Sequence, residues 1–203
     1  MTEISPHRLN SLSRVQKVLK HQIFHTHNPT LRGCKSIAMA SPKPTSRQDI
    51  PLFTLRPARV ADAPAMAEIH ISARDSAPGM PPSIHSPADI HAWMARALAS
   101  GDAALVAERN GTVVGYAHYP GSNELADLYV LPSNQGRGVG AALLEAVKEA
   151  RPGGFELWVF EANVEARRFY EKRGLVEVER TDGRGNEEGV PDVKMRWEGE
   201  KWL

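Results

Sequence analysis

Apolar residues recur along this chain in two rhythms. Spacings of three and four mark helices. Met66, Ile69 and Ala73 share one face of a helix expected after Asp62 and through Ala73. Ile90, Trp93, Met94, Ala97 and Leu98 repeat at i, i+3, i+4, i+7 and i+8. Ser86 stands before that run as an N-cap, Pro87 at the first helical position and Asp89 in the first turn. Val139, Leu143, Leu144 and Val147 line a third face, and Asn163 caps a fourth helix over Val164–Arg173, which Gly174 ends. Short apolar or alternating runs mark strands: Phe53–Arg56, Ala103–Arg109, Thr112–Tyr119, Leu125–Leu131, Phe155–Phe160, Leu175–Arg180 and Asp192–Trp197. Asn110-Gly111 joins the second and third as a hairpin, because both positions tolerate positive φ. Pro132 ends the fourth, since proline cannot donate to a ladder. Ser76–Ile84 and Thr181–Pro191 read as loops. The order β-α-α-β-β-β-α-β-α-β-β predicts an α/β (α+β) domain. It is expected to hold a single mixed, mostly antiparallel sheet of about six to seven strands with helices on both faces.

Composition divides the chain. Its 203 residues suffice for one domain with an extension. Residues 1–50 carry eight Lys and Arg against the acids Glu3 and Asp49, and lack sustained periodicity. They are expected to be a disordered extension with a short helix over Leu12–Phe24, ahead of a domain at 51–203. The extension has no apolar segment of a secretory signal, although its acid-poor character is that of transit peptides. A native start at Met39, with Met1–Ala38 outside the protein, is a second expectation. His21, His25 and His27 have no acidic or cysteine partner nearby and are not read as a metal site. A net charge of +1 gives no sign of nucleic acid or membrane as a partner. The lone cysteine, Cys34, allows no internal disulfide, and a cytoplasmic location is expected.

The candidate chemistry lies in Glu124–Ala150. A strand runs into Gln135-Gly136-Arg137-Gly138-Val139-Gly140, and a helix follows. Glycines at a helix start let a ligand approach the backbone and leave first-turn amides free for an anion. Arg137 adds charge beside them. Gly136, Gly138 and Ala141 match the dinucleotide pattern GxGxxG/A, but Leu131-Pro132-Ser133-Asn134-Gln135 intervenes where that motif runs almost directly from strand into glycine. Gln135, Gly138 and Gly140 also meet Q/R-x-x-G-x-G/A behind a strand ending Val130-x-Pro132. One strand later stands Asn163-x-x-Ala166-x-x-Phe169-Tyr170-Glu171-Lys172-x-Gly174.

These two signatures, and the order of elements from Phe53 to about Trp197, resemble the GNAT (N-acetyltransferase) superfamily, as a small bacterial-type single-domain member. Leu175 stands where that family usually has an aromatic. The resemblance implies an acyltransferase that carries an acetyl group from acetyl-CoA, as co-substrate, to a primary amine of a small molecule or peptide by direct attack in a ternary complex. Leu128, Tyr129 and Val130 would pair through their backbones with the pantetheine arm. Amides across Gln135, Gly136, Arg137, Gly138, Val139, Gly140 and Ala141 would hold the pyrophosphate, and Asn163 would lie near the arm. Tyr170 matches the tyrosine that protonates the departing thiolate in many members. A thiol near pKa ~8.5 and a phenol near ~10 permit that transfer in a dry site.

A base is also needed. Freeing the lone pair of an amine of pKa ~10.4 at pH 7 costs about 4–5 kcal/mol. Glu124 sits at the spacing from Gln135 of the carboxylate base in some histone-modifying members; His118 is the alternative. Odd–even alternation would turn Asp127 to the opposite face. The acceptor is expected between the Ser76–Ile84 loop, the second helix and the Thr181–Pro191 loop, where Asp75, His85, Trp93, Asp182, Glu187 and Glu188 are candidates. For Asp182, Glu187 and Glu188 a solvated hairpin tip is the competing expectation. No metal is implied, and the protein is expected to be a monomer or homodimer. Two other functions compete: a catalytically idle CoA-binding regulatory module of the same fold, and a dinucleotide-binding oxidoreductase.

Overall fold

The computed structural model describes residues 53–121 and 123–199. The extension, its short helix, Met39, Cys34 and the three early histidines lie outside the described residues. The described strands are β1 (Thr54–Pro57), β2 (Ala104–Arg109), β3 (Thr112–His118), β4 (Asp127–Val130), β5 (Phe155–Phe160), β6 (Val176–Thr181) and β7 (Asp192–Trp197). The helices are α1 (Ala63–Ser76), α2 (Pro87–Ala99), α3 (Val139–Ala150) and α4 (Val164–Glu171). Strand and helix types follow the expected order, with ends moved by at most three residues.

Local chemistry fixes the joints. Ser86 Oγ accepts from the Asp89 amide at 3.2 Å, and the Asp89 carboxylate accepts from the Ser86 amide at 3.2 Å, a reciprocal cap for α2. Asp62 precedes α1, but Arg56 and the Arg59 amide engage its carboxylate instead of the helix amides. Arg56 first, with the Arg59 amide, holds the Asp62 carboxyl below its ordinary range despite burial. Asn110 and Gly111 take φ of 51° and 77°, as a two-residue hairpin turn requires.

The seven strands form two antiparallel sheets, β1-β2-β3-β4 and β5-β7-β6. Among the described residues a single parallel bridge, Glu124 opposite Glu156, joins them. Its bonds are Leu125 N–H to the Glu156 carbonyl and Glu156 N–H to the Asn123 carbonyl, each 2.9 Å. Beyond that bridge β4 and β5 part, so the expected sheet is split along one line. One core lies under α1 and α2 and takes in Met66, Ile69, Ile90, Met94, Val106 and Tyr116. The other joins α3 and α4 to both sheets through Leu143, Leu144, Val147, Tyr170, Leu157 and Met195. Fully burying each such aliphatic side chain is worth about 1.5–3 kcal/mol.

Candidate active site

The parting begins just past Glu124. β4 ends the first sheet and β5 the second, so their facing edges have no strand partner there among the described residues. Leu128 packs toward the α3 core and Val130 is buried in it, while Tyr129 turns toward the α1–α2 core. This leaves backbone groups along the edge of β4 available to an extended ligand, as in strand addition.

The glycine loop stands at the end of that edge. Gly136 and Gly138 take φ of +70° and +83°, and no atom lies within 4 Å of where either Cβ would be. The glycines therefore serve the backbone turn and leave the space before it open. Gly138 is the N-cap of α3. The first bond of its ladder runs from Ala142 N–H to the Gly138 carbonyl, 3.0 Å. The amides of Val139, Gly140 and Ala141 precede that ladder and point out of the helix end. Gln135 donates its side-chain amide to the Val130 carbonyl at 3.1 Å, tying loop to strand. Arg137 is exposed beside the glycines. The donor set, the helix dipole and the arginine fit a pyrophosphate, and the open strand edge fits an amide-bearing arm.

α4 closes the other wall. Gly140 lies under the Phe169 ring, which a Cβ would meet at 3.5 Å. Tyr170, 8% exposed, belongs to the α3–α4 core. Burial first, then the charges of Tyr129 and Asp127, raise its phenol above the ordinary range. Asn163 Oδ1 caps α4 by accepting from the Ala166 amide at 3.1 Å, and its Nδ2 donates to Met80 Sδ at 3.3 Å. The helix cap is thus one of the duties of Asn163.

The acidic residues form a tighter group than the sequence implied. Leu125 and Ala126 lie outside β4, so strand alternation does not carry back from Asp127 to Glu124. Burial first, then Asp127, raises the Glu124 carboxyl, and His118 opposes the shift. His118 and Asp127 face each other in the β3–β4 ladder. His118 is buried, with Nδ1 3.1 Å from Asp127 and Nε2 3.2 Å from Asp102. Burial alone would lower its pKa; the hydrogen bonds and charges of Asp127 and Asp102 outweigh that and raise it. With a carboxylate at each ring nitrogen, both can donate only when the ring is protonated, so the pair of aspartates favours the imidazolium.

The neighbouring ring on α1 behaves oppositely. His70 Nδ1 lies 2.9 Å from the Tyr116 hydroxyl and 3.7 Å from Asp127. Burial lowers its pKa, against the pull of Asp127, and keeps it neutral at pH 7. The His70 ring sits 4.7 Å from that of Tyr129 and 6.1 Å from Trp93, and Trp93 meets His118 edge-on at 5.5 Å. The Tyr129 phenol is pushed up to about 12, by burial first and by Asp127 next. His70, Asp102 and Tyr116 were not among the residues the sequence singled out. The detectable signal was His70, a polar residue inside the Met66–Ile69–Ala73 stripe.

Loops cover this end of the sheet. Arg74 bonds Glu188 at 2.9 Å, and His85 meets Glu187 at 3.0 Å, which joins the end of α1 and the loop after it to the β6–β7 loop. Glu187 and Glu188 are therefore anchored rather than a solvated tip; Asp182, paired with Arg184, is 63% exposed and does fit that description. Asp75 is exposed on α1. Gly79, at φ +78°, lies against Ala162, whose carbonyl oxygen a Cβ would meet at 2.0 Å. The loop after α1 thus rests on the head of α4.

Comparison with known proteins gives the fold its family. The acetyltransferase (GNAT) domain matches residues 80–199, more than half of the chain. The chain belongs to the GNAT family. Acyl transfer is the chemistry of this domain. A mycothiol acetyltransferase of Amycolatopsis mediterranei is 40% identical over 76 residues, 35% of this chain and 25% of that protein. The match thus spans only a quarter of that relative. An uncharacterized N-acetyltransferase of Archaeoglobus fulgidus is 35% identical over 100 residues, 42% of this chain and 67% of that one. Among solved structures, YncA of Salmonella typhimurium, determined with its cofactor acetyl-CoA, shares the fold at a TM-score of 0.59 and 22% identity. It covers 75% of this chain and 96% of its own. Among the described residues, no helix of this GNAT chain is long and apolar enough to cross a membrane.

Proposed function

We propose that this GNAT domain is an N-acetyltransferase that uses acetyl-CoA to acetylate a primary amine of a small molecule or peptide in a ternary complex. The observation that carries this reading is the parting of β4 from β5 beside a helix end with free amides. Backbone groups of Leu128, Tyr129 and Val130, other than the Val130 carbonyl that Gln135 occupies, would take the amide-bearing arm. The amides from Gln135 to Ala141, with Arg137, would take the paired phosphates, and Asn163 would border the arm. When bound, acetyl-CoA supplies an activated acyl thioester.

The chain's own residues then manage protons. Glu124 accepts the ammonium proton of the acceptor, directly or through water. A carboxyl raised by burial is a stronger base than a solvated one and suits that step. His118 is less suited, because an imidazolium held by two aspartates has no lone pair to accept a proton. Tyr170 keeps its proton well past neutral pH and donates it to the leaving thiolate. Asp102, Asp127 and His118 together carry one net negative charge, and Glu124 adds another above its pKa. That field favours a cationic acceptor.

Calorimetric titration with acetyl-CoA, followed by thiol-release assays across polyamines, aminoglycosides, amino acids and peptide N-termini, tests the proposal. Binding of acetyl-CoA and thiol release with at least one amine are expected. Absence of cofactor binding would refute it.

A further inference from the structure

The Asp102–His118–Asp127 group has a consequence for Glu124. Its three members come from three places: the turn after α2, the end of β3 and the start of β4. They converge because His118 and Asp127 are ladder partners and Asp102 lies at the other ring nitrogen. Side-chain exposures of 2% for His118 and 10% for Asp127 keep solvent from screening the contact. Such a charged triad is a costly thing to bury. Replacing buried ion pairs by apolar residues is often neutral or stabilising, so stability alone gives little reason for it.

The Ala126 amide bonds the His118 carbonyl at 2.9 Å, so the two residues between Glu124 and Asp127 are tied to the strand that carries the imidazolium. We propose that Asp102, His118 and Asp127 form a charge clamp that fixes the electrostatic environment of Glu124, which makes His118 and Asp127 positioning residues of the transfer reaction. This rests on the reading of Glu124 as the base.

The groups that act on Glu124 through their charge do so in opposite senses. Asp127 disfavours its carboxylate, His118 favours it, and burial adds to the first. From β5, Glu156 stands opposite in the bridge, but its carboxylate is held by Arg196 at 2.6 Å and Lys194 at 3.7 Å. Asp127 itself is also faced by His70 from α1, neutral at pH 7. Asp102 holds the proton on His118 from the side away from Asp127. Removing Asp127 therefore leaves the imidazolium charged over the range in which Glu124 titrates.

A clamp of this kind makes a signed prediction. His118→Gln removes the favourable charge and should move the Glu124 midpoint up. Asp127→Asn removes the unfavourable one and should move it down. Each shift should be about half a pH unit or more. The measurement is carbon NMR titration of full-length protein labelled at glutamate side-chain carboxyls, with the Glu124 resonance identified as the one lost in Glu124→Gln. Should His118→Gln not fold, Asp102→Asn, which loosens the imidazolium and keeps every ring and strand contact, is expected to move the midpoint up as well.

Midpoints that stay within about 0.2 units of the parent, or move in the same direction in the His118 and Asp127 variants, would overturn the clamp. The base is read separately, from kcat/KM against pH with acetyl-CoA and the first amine found to be turned over. If Glu124→Gln abolishes the acid limb and the other variants shift it as they shift the NMR midpoint, both readings stand. If Glu124→Gln leaves that limb in place, the base reading fails, and with it the catalytic role of the clamp.

Discussion

Replacing Tyr170 with phenylalanine removes one oxygen and leaves the ring. The ring is 8% exposed in the α3–α4 core, so its packing is preserved in the variant. The hydroxyl meets no hydrogen-bond partner among the described residues. A partnered hydroxyl would cost about 0.5–1.5 kcal/mol on removal; an unpartnered one should cost less than about 0.5 kcal/mol. The burial and the neighbouring charges that keep the phenol protonated also make it a donor at any working pH. A positioned acid contributes about 10²–10⁴-fold to a rate. Thus Tyr170→Phe should lower kcat by about 10²-fold or more, with the urea midpoint and the acetyl-CoA Kd nearly unchanged. Thiol release, urea denaturation and calorimetry read the three quantities. A kcat within about threefold of the parent would show that the residue only packs, since the same ring would then do all that is required. A loss of more than about 1 kcal/mol in stability would show that the hydroxyl has a structural partner after all.

Other perturbations have equally definite outcomes. Gly138→Ala should cost about 1–2 kcal/mol in urea denaturation, because the strain is purely in the backbone at φ +83°, and should weaken acetyl-CoA binding as the turn relaxes. Gly79→Ala puts a methyl carbon 2.0 Å from the Ala162 carbonyl oxygen at a positive φ, so the loop must lift from α4. Limited proteolysis should then cut between residues 77 and 82 sooner than in the parent. Tyr116, Tyr129 and Tyr170 all have phenols raised by burial, whereas unfolded phenols ionise near pH ~10. Below that pH both states are protonated and stability is indifferent to these groups. Above it the unfolded chain loses protons that the folded one keeps, so unfolding free energy should fall by about 1.4 kcal/mol per pH unit for each tyrosine. Urea midpoints at pH 9, 10 and 11 measure that slope, and a flat profile would contradict it.

Features held within a few neighbouring residues were legible in the sequence. The positive-φ hairpin turn at Asn110-Gly111, the Asn163 cap and the amphipathic faces of the helices each depend on short spacings that physics reads locally. The split between the sheets was not, because alternation tells which way side chains point and not which strand lies alongside. The group around Glu124 was the hardest part. Its geometry depends on the register that sets His118 against Asp127, on the departure of Leu125 and Ala126 from the strand, and on a helix that brings His70 to a tyrosine 46 positions away. A slip of one residue in β3 against β4 would put Leu128 or Ala126 opposite His118 and turn the imidazolium's partner to the other face. The buried charges thus constrain the register as much as the register places them, since a slipped pairing would leave His118 and Asp127 unpaired away from water, at a cost of about 3–5 kcal/mol. The same contact that selects one pairing of these strands also sets the field in which Glu124 works. Fold and chemistry are coupled at that single rung of the ladder.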